Sequence, residues 1–149
     1  MVDEQNYYRE ITPSGFGIAI KIKEVVFSTQ SKYQKVEVLD TDSSLGKILT
    51  LNDLMFVTEG DAYHYNEMIT HLPLLSHKNP KNVLIIGGGT GAATKEILKH
   101  QSVEHIVVVD IDEVVVNTCK QYLPEIASCL DDERVNVEII DAFDYIKQT

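Results

Sequence analysis

The chain has 149 residues, 44% of them hydrophobic and 24% charged, enough length and apolar content for a sizeable core. Its formal net charge of −10 at pH 7 argues against nucleic acid as a partner, because phosphate binding needs clustered Lys and Arg, whereas such a surface tolerates a cationic small molecule. No apolar run approaches a membrane span, and Met1-Val2-Asp3-Glu4-Gln5 lacks the basic and apolar regions of a signal peptide, so no membrane partner is expected and a cytoplasmic location follows by default.

Residues 1–60 carry alternating strands and no long helix. Gly17 to Val25 alternates at period two, as does Tyr33 to Leu39, with turn residues from Asp40 to Gly46 between strands. Lys47 to Leu51, the Asn52-Asp53 turn and Leu54 to Val57 read as a hairpin, which completes a small antiparallel β module. Over 61–80 a helix and linker follow. Asp61 stands near the helix start, and Tyr65, Met68, Ile69 and Leu72 share one face; Pro73 implies a kink, with Leu74-Leu75 as a last turn. The polar stretch Ser76-His77-Lys78-Asn79-Pro80-Lys81 is the expected domain boundary.

The remaining segment, 81–149, opens on Asn82-Val83-Leu84-Ile85-Ile86-Gly87-Gly88-Gly89-Thr90-Gly91-Ala92, which reads as strand, tight loop and helix start. A continuous Val/Leu/Ile run is what a parallel strand covered on both faces looks like, and Ala93, Ile97 and Leu98 share the next helical face. Gly87, Gly89 and Gly91 supply positive φ and a bare backbone on which a ligand lies beside the N–H groups of the next helix. A second apolar strand, His105 to Val109, ends in Asp110, where an acid accepts both hydroxyls of a ribose. A helix bearing Val114, Val115, Thr118, Cys119 and Tyr122 then runs from Asp112 to Pro124, which makes Cys119 a core thiol. Leu130 to Arg134 reads as a charged surface turn. A third strand, Val135 to Ile140, ends in Asp141-Ala142 before a final helix begins.

Three strands ending in a Gly-rich loop, an acid and an acid describe a nucleoside pocket at the carboxyl edge of a parallel sheet. The expected fold is therefore α/β, an antiparallel β module followed by a truncated Rossmann-like sheet of the class I S-adenosylmethionine-dependent type. Cys119 and Cys129 match neither a disulfide framework nor a metal spacing, and His64, His71, His77, His100 and His105 have no second ligand type at a zinc-like interval. No metal is expected.

In this order of parts, the chain resembles the polyamine aminopropyltransferase family, which includes the spermidine synthases. The resemblance covers nearly the whole chain: Thr12-Pro13-Ser14-Gly15-Phe16-Gly17, Ser31-Lys32-Tyr33-Gln34, Thr58-Glu59-Gly60-Asp61, Glu67-Met68-Ile69-Thr70-His71-Leu72-Pro73-Leu74, His77-Lys78-Asn79-Pro80 and Val109-Asp110-Ile111-Asp112, besides the glycine loop. It implies transfer of an aminopropyl group from decarboxylated S-adenosylmethionine, a co-substrate, to putrescine, giving spermidine and methylthioadenosine. No prosthetic group is implied, and the complete protein would be a homo-oligomer, dimer or tetramer.

By the same resemblance, Asp110 holds the ribose, Asp141 and the Ala142 backbone read adenine, Gln34 reaches the nucleoside from the β module, and Tyr65 and Asn66 line the amine tunnel. Three positions depart from the family pattern. Thr90 stands where the loop usually carries an Asp that pairs with the donor's amine, Asn66 stands where His or Gln is usual, and Ala142 replaces a Gly. The family's catalytic Asp would lie beyond Thr149, so the catalytic residue is unknown, the chain looks like the amino-terminal portion, and residues 1–149 alone are expected to be inactive. Two alternatives stay open: a methyltransferase using intact S-adenosylmethionine, which the glycine loop and Asp110 fit equally well, and a non-catalytic nucleoside-binding paralogue.

Overall fold

The computed structural model describes residues 6–148; the opening pentapeptide and Thr149 lie outside the described residues. The chain divides into two compact units, 1–61 and 62–149. Among the described residues, no helix is long and apolar enough to cross a membrane.

The first unit is a five-stranded antiparallel sheet in sequential order: β1 Tyr7–Ile11, β2 Gly17–Gln30, β3 Lys35–Thr41, β4 Lys47–Leu51 and β5 Leu54–Thr58. The β4–β5 hairpin forms where the sequence places it, since Asn52 and Asp53 both adopt positive φ (51° and 64°), the two-residue geometry whose twist matches that of the strands. β2 runs further than the period-two segment suggests. Register shifts at Ile22/Glu24 and Val25/Phe27 let so long a strand bend while it stays paired with β3. Tyr8, Ile22, Leu39 and Ile48 form the buried cluster. The strand β1, which the periodicity did not single out, is anchored by Tyr8, whose hydroxyl donates to Glu10 at 2.7 Å, while the Met55 N–H donates to the same carboxylate at 2.8 Å.

The second unit runs α1 Ala62–Ser76, β6 Asn82–Ile86, α2 Ala92–Ile97, β7 His105–Asp110, α3 Glu113–Tyr122, α4 Pro124–Ala127, a 3-10 turn Ser128–Asp131, β8 Val135–Ile139 and α5 Ala142–Gln148. Its three strands are parallel in the order β6-β7-β8. β7 is the buried middle strand, with Ile106, Val108 and Val109 in the core. β6 is an edge strand. The expectation of cover on both faces is not met among the described residues: Asn82, Leu84 and Ile86 point to an open face, with Leu84 46% and Ile86 56% exposed.

α1 also departs from its reading. The apolar stripe exists, but Tyr65, Met68, Ile69 and Leu72 are exposed, and the buried face is Asn66, Thr70 and Leu74. A polar face packs here because it satisfies itself: Asn66 Nδ2 donates to the Ala62 carbonyl at 2.7 Å and Thr70 Oγ1 to the Asn66 carbonyl at 2.6 Å. Pro73 does not break the helix, which continues to Ser76, whose hydroxyl donates to the Leu72 carbonyl at 2.7 Å. α1 groups with the parallel-sheet unit, so the division falls before this helix, not in the polar stretch after it.

α2 is shorter than the apolar pattern suggests and passes into tight turns, with the Leu98 N–H donating to the Thr94 carbonyl and the His100 N–H to that of Ile97. The 130–134 segment is less of a surface turn than its charges imply. Leu130 is buried, and the Arg134 guanidinium reaches the Leu98 and Val103 carbonyls at 3.3 and 3.5 Å. Asp112 caps α3 by accepting the Val114 N–H at 3.1 Å, and Cys119 is fully buried, as read.

Candidate nucleoside site at the carboxyl ends of the parallel strands

The strand ends bring the loop and both acids to one edge. The Gly87 N–H donates to the Val109 carbonyl at 2.8 Å and the Ile140 N–H to the Asp110 carbonyl at 3.0 Å, which carries the ladder past each strand into the loops. Gly87, Asp110 and Asp141 are therefore fixed by the sheet itself.

Within the loop the glycines serve different purposes. Gly87 and Gly91 adopt positive φ (75° and 80°), as expected, and Gly91 caps α2. Gly89 does not; it is required by close approach. A Cβ there would stand 2.5 Å from Asp110 Oδ2, the oxygen to which the Gly89 N–H donates at 2.7 Å. The other oxygen, Asp110 Oδ1, accepts the Asp112 N–H at 3.0 Å. Two backbone donors thus hold this half-buried carboxylate in one orientation, and each oxygen keeps a further lone pair for a hydroxyl. A pre-oriented carboxylate against a bare glycine backbone suits a vicinal diol.

Asp141 is half-buried at the start of α5, where its Oδ1 accepts the Phe143 N–H at 2.8 Å, and Ala142 follows it with its backbone in the same turn. Thr90 is buried, and its Oγ1 accepts the Ala92 N–H at 3.4 Å, so its hydroxyl serves the turn into α2. Inside α2, Thr94 Oγ1 is buried without a hydrogen-bond partner.

Gly87, Gly89, Thr90, Gly91, Asp110, Asp141 and Ala142 thus share one edge. Tyr65 and Asn66 do not share a face on α1: Tyr65 is exposed, while the Asn66 amide is buried and spent on its own helix. Gln34 belongs to the other compact unit, half-buried in the β2–β3 turn, where its backbone N–H donates to Ser31 Oγ at 3.0 Å. Neither cysteine has the character of a nucleophile. Burial, with the Asp110 charge adding to it, pushes the Cys119 thiol up to about 12, and burial pushes Cys129 up to about 11.

A cleft of about 460 Å³ lies beside the open face of β6, between Ile69, Pro73 and Leu74 of α1 and Val83 to Ile86. Its lining is mainly aliphatic and includes neither Asp110 nor Asp141, so it is separate from the edge at which the strand ends gather. The histidine spacing also concealed a cluster. Glu67, His71 and Glu96 converge between α1 and α2, a meeting announced in the sequence only by the doubled Glu-x-x-x-His at 67–71 and 96–100.

Comparison with known proteins places both units in one family. Residues 62–149 match the family model described as spermine/spermidine synthase domain, and residues 6–59 match the spermidine synthase tetramerisation domain. The chain is 43% identical over 143 residues to a polyamine aminopropyltransferase of Shouchella clausii, covering 96% of this chain and 52% of that protein. To the polyamine aminopropyltransferase of Methanocaldococcus jannaschii it is 37% identical, covering 96% of this chain and 48% of the other. Among solved structures, spermidine synthase from Thermotoga maritima superposes with a TM-score of 0.92 at 32% identity, over 99% of this chain and 52% of that one. A spermidine synthase in complex with the transition-state analogue AdoDATO matches equally well, with 50% of its chain covered. The chain spans about half the length of the curated relatives it matches. With both of its units matched in order, the chain belongs to the spermine/spermidine synthase family.

Proposed function

We propose that this chain carries the donor-binding elements of a spermidine synthase-like aminopropyltransferase. Decarboxylated S-adenosylmethionine is the co-substrate, putrescine the acceptor, and spermidine and methylthioadenosine are the products; no prosthetic group takes part. The supporting observation is the Asp110 carboxylate, clamped by the Gly89 and Asp112 N–H groups beside a glycine loop, with Asp141 at the end of the neighbouring strand. Asp110 takes the ribose hydroxyls, Asp141 and the Ala142 backbone the adenine, and Gly87 to Gly91 the space where the nucleoside lies on the backbone. The resemblance further assigns Gln34 to the donor and Tyr65 and Asn66 to the amine; Tyr65 is exposed, whereas the Asn66 amide would first have to release the Ala62 carbonyl. The homo-oligomer, dimer or tetramer, is supported by the match of residues 6–59 to a tetramerisation domain.

The reaction asks mainly for positioning. A neutral amine nitrogen attacks the carbon beside the sulfonium in line with the departing sulfur. The new C–N bond forms as the C–S bond breaks, and the electron pair stays on sulfur as a neutral thioether. The amine then gives up a proton to a base, which residues 1–149 do not identify.

A second reading, methyl transfer from intact S-adenosylmethionine, is favoured by one residue: Thr90 puts no negative charge in the loop to pair with the amine of the decarboxylated donor. Transfer assays on the full-length gene product separate the readings. Label should pass to putrescine from aminopropyl-labelled decarboxylated donor and not from methyl-labelled S-adenosylmethionine. Methyl transfer would establish the second reading, and binding of methylthioadenosine without transfer from either donor would establish the non-catalytic one.

A further inference from the structure

One spacing occurs twice in the second unit. Glu67-x-x-x-His71 lies on one face of α1, and in Glu96-x-x-x-His100 the Glu stands on α2 while the His stands in the turn that follows it. The two pairs meet. Glu67, His71 and Glu96 each present a ligand atom, and these atoms lie within 4.8 Å of one another. His71 Nε2 is 3.4 Å from Glu96 Oε2, and His71 Nδ1 is 2.8 Å from His100 Nε2. Glu96 is only 3% exposed. Lys99 pairs with it, and its Nζ lies 3.8 Å from Glu67 Oε1.

We propose that Glu67, His71 and Glu96 form a binding site for one divalent cation of the zinc class, with His100 orienting His71 from behind and Lys99 as the charge the ion displaces. The donor set is the first reason: imidazole nitrogen and carboxylate oxygen are both zinc ligands, and three protein ligands with a fourth position open is the arrangement of mononuclear sites that keep a water. The second is spacing. Zinc–ligand bonds of about 2.0–2.1 Å in a tetrahedron put neighbouring ligand atoms roughly 3.3–3.4 Å apart, close to the separation of His71 Nε2 and Glu96 Oε2. The third is orientation, since a ligating imidazole is characteristically held through its other nitrogen, as His100 holds His71. Finally, a carboxylate as buried as Glu96 requires a counter-charge. Lys99 supplies one now, on a flexible stem whose side chain is 51% exposed and free to move out to solvent. The ion would tie α1 to α2, with its Glu67 ligand directly after Asn66 in the sequence.

Calorimetric titration of zinc chloride into chelator-treated full-length protein tests this. One ion should bind per chain, and Lys99→Met should tighten binding about tenfold or more, because it removes the competing ammonium. His100→Ala should weaken binding by roughly 10–100-fold, the usual effect of removing an orienting partner, and His71→Gln should abolish it, with circular dichroism confirming that each variant is folded. Four results would overturn the site: no stoichiometric binding to the native protein, binding confined to the Lys99→Met variant, weaker binding in that variant, or binding that a folded His71→Gln protein retains.

Discussion

Asp110 fixes the glycine loop through Gly89, and the same carboxylate is the acceptor proposed for the ribose. Gly89→Ala would place a methyl 2.5 Å from Asp110 Oδ2 and 3.0 Å from Val116 Cγ2, which forces the carboxylate off its N–H donor. Loss of a charge-assisted hydrogen bond should cost about 1.5–3 kcal/mol of nucleoside affinity in the full-length protein; unchanged affinity in calorimetry would separate the loop from the site. Thr90→Asp should act in the opposite sense. Affinity for decarboxylated S-adenosylmethionine should rise selectively, because a buried ammonium gains a charge partner, while methylthioadenosine, which lacks that amine, should respond less. Equal responses would show that residue 90 does not face the aminopropyl arm. The positions of Gly87, Gly91, Asp110 and Asp141 were legible because strand-loop-helix spacing dictates them. The reason for Gly89 was not, because collision with a side chain 21 residues away is a tertiary fact without a local signature.

α1 shows the limit of periodicity at the scale of an element. Spacing groups Tyr65, Met68, Ile69 and Leu72 on one face, but only the neighbouring elements decide which face is covered. Here the covered face is that of Asn66, Thr70 and Leu74, whose polar members bond within their own helix. α3 was more legible, since its Asp112 cap and the Pro124 stop are local signals and its core positions followed. Its buried thiol gives a pH-dependent prediction. A free cysteine titrates near 8.5, whereas Cys119 is raised to about 12 and Cys129 to about 11. At pH 8 the native Cys119 should react with a disulfide reagent on the order of 10³ times more slowly than a free thiol, and urea should restore the ordinary rate. The sign for stability follows, because only the unfolded thiols ionise between about pH 8.5 and the raised values, so stability is lost as pH rises through that window. Rapid labelling of Cys119 in the native protein would contradict this packing.

For the whole molecule, the three parallel strands and the gathering of their ends at one edge were legible in the apolar runs and their terminal residues, and the structure adds their order, β6-β7-β8. The exposure of β6 departs from the reading of its sequence, because Val83 to Ile86 carry apolar side chains toward both faces while the described residues leave Leu84 and Ile86 open. An unpaired apolar edge beside an aliphatic cleft is a template for further strand pairing. A polypeptide of residues 1–149 made alone should therefore self-associate through β6 and show no aminopropyl transfer; a monodisperse monomer in sedimentation that forms spermidine would refute both expectations. The central claim, that the carboxyl ends of β6, β7 and β8 build a nucleoside pocket, is tested most directly by calorimetric titration of methylthioadenosine into the full-length protein and its Asp110→Ala variant. Binding of one nucleoside per chain, weakened by about 1.5–3 kcal/mol in the variant, is the expected result; affinity unchanged by the loss of Asp110 would contradict it.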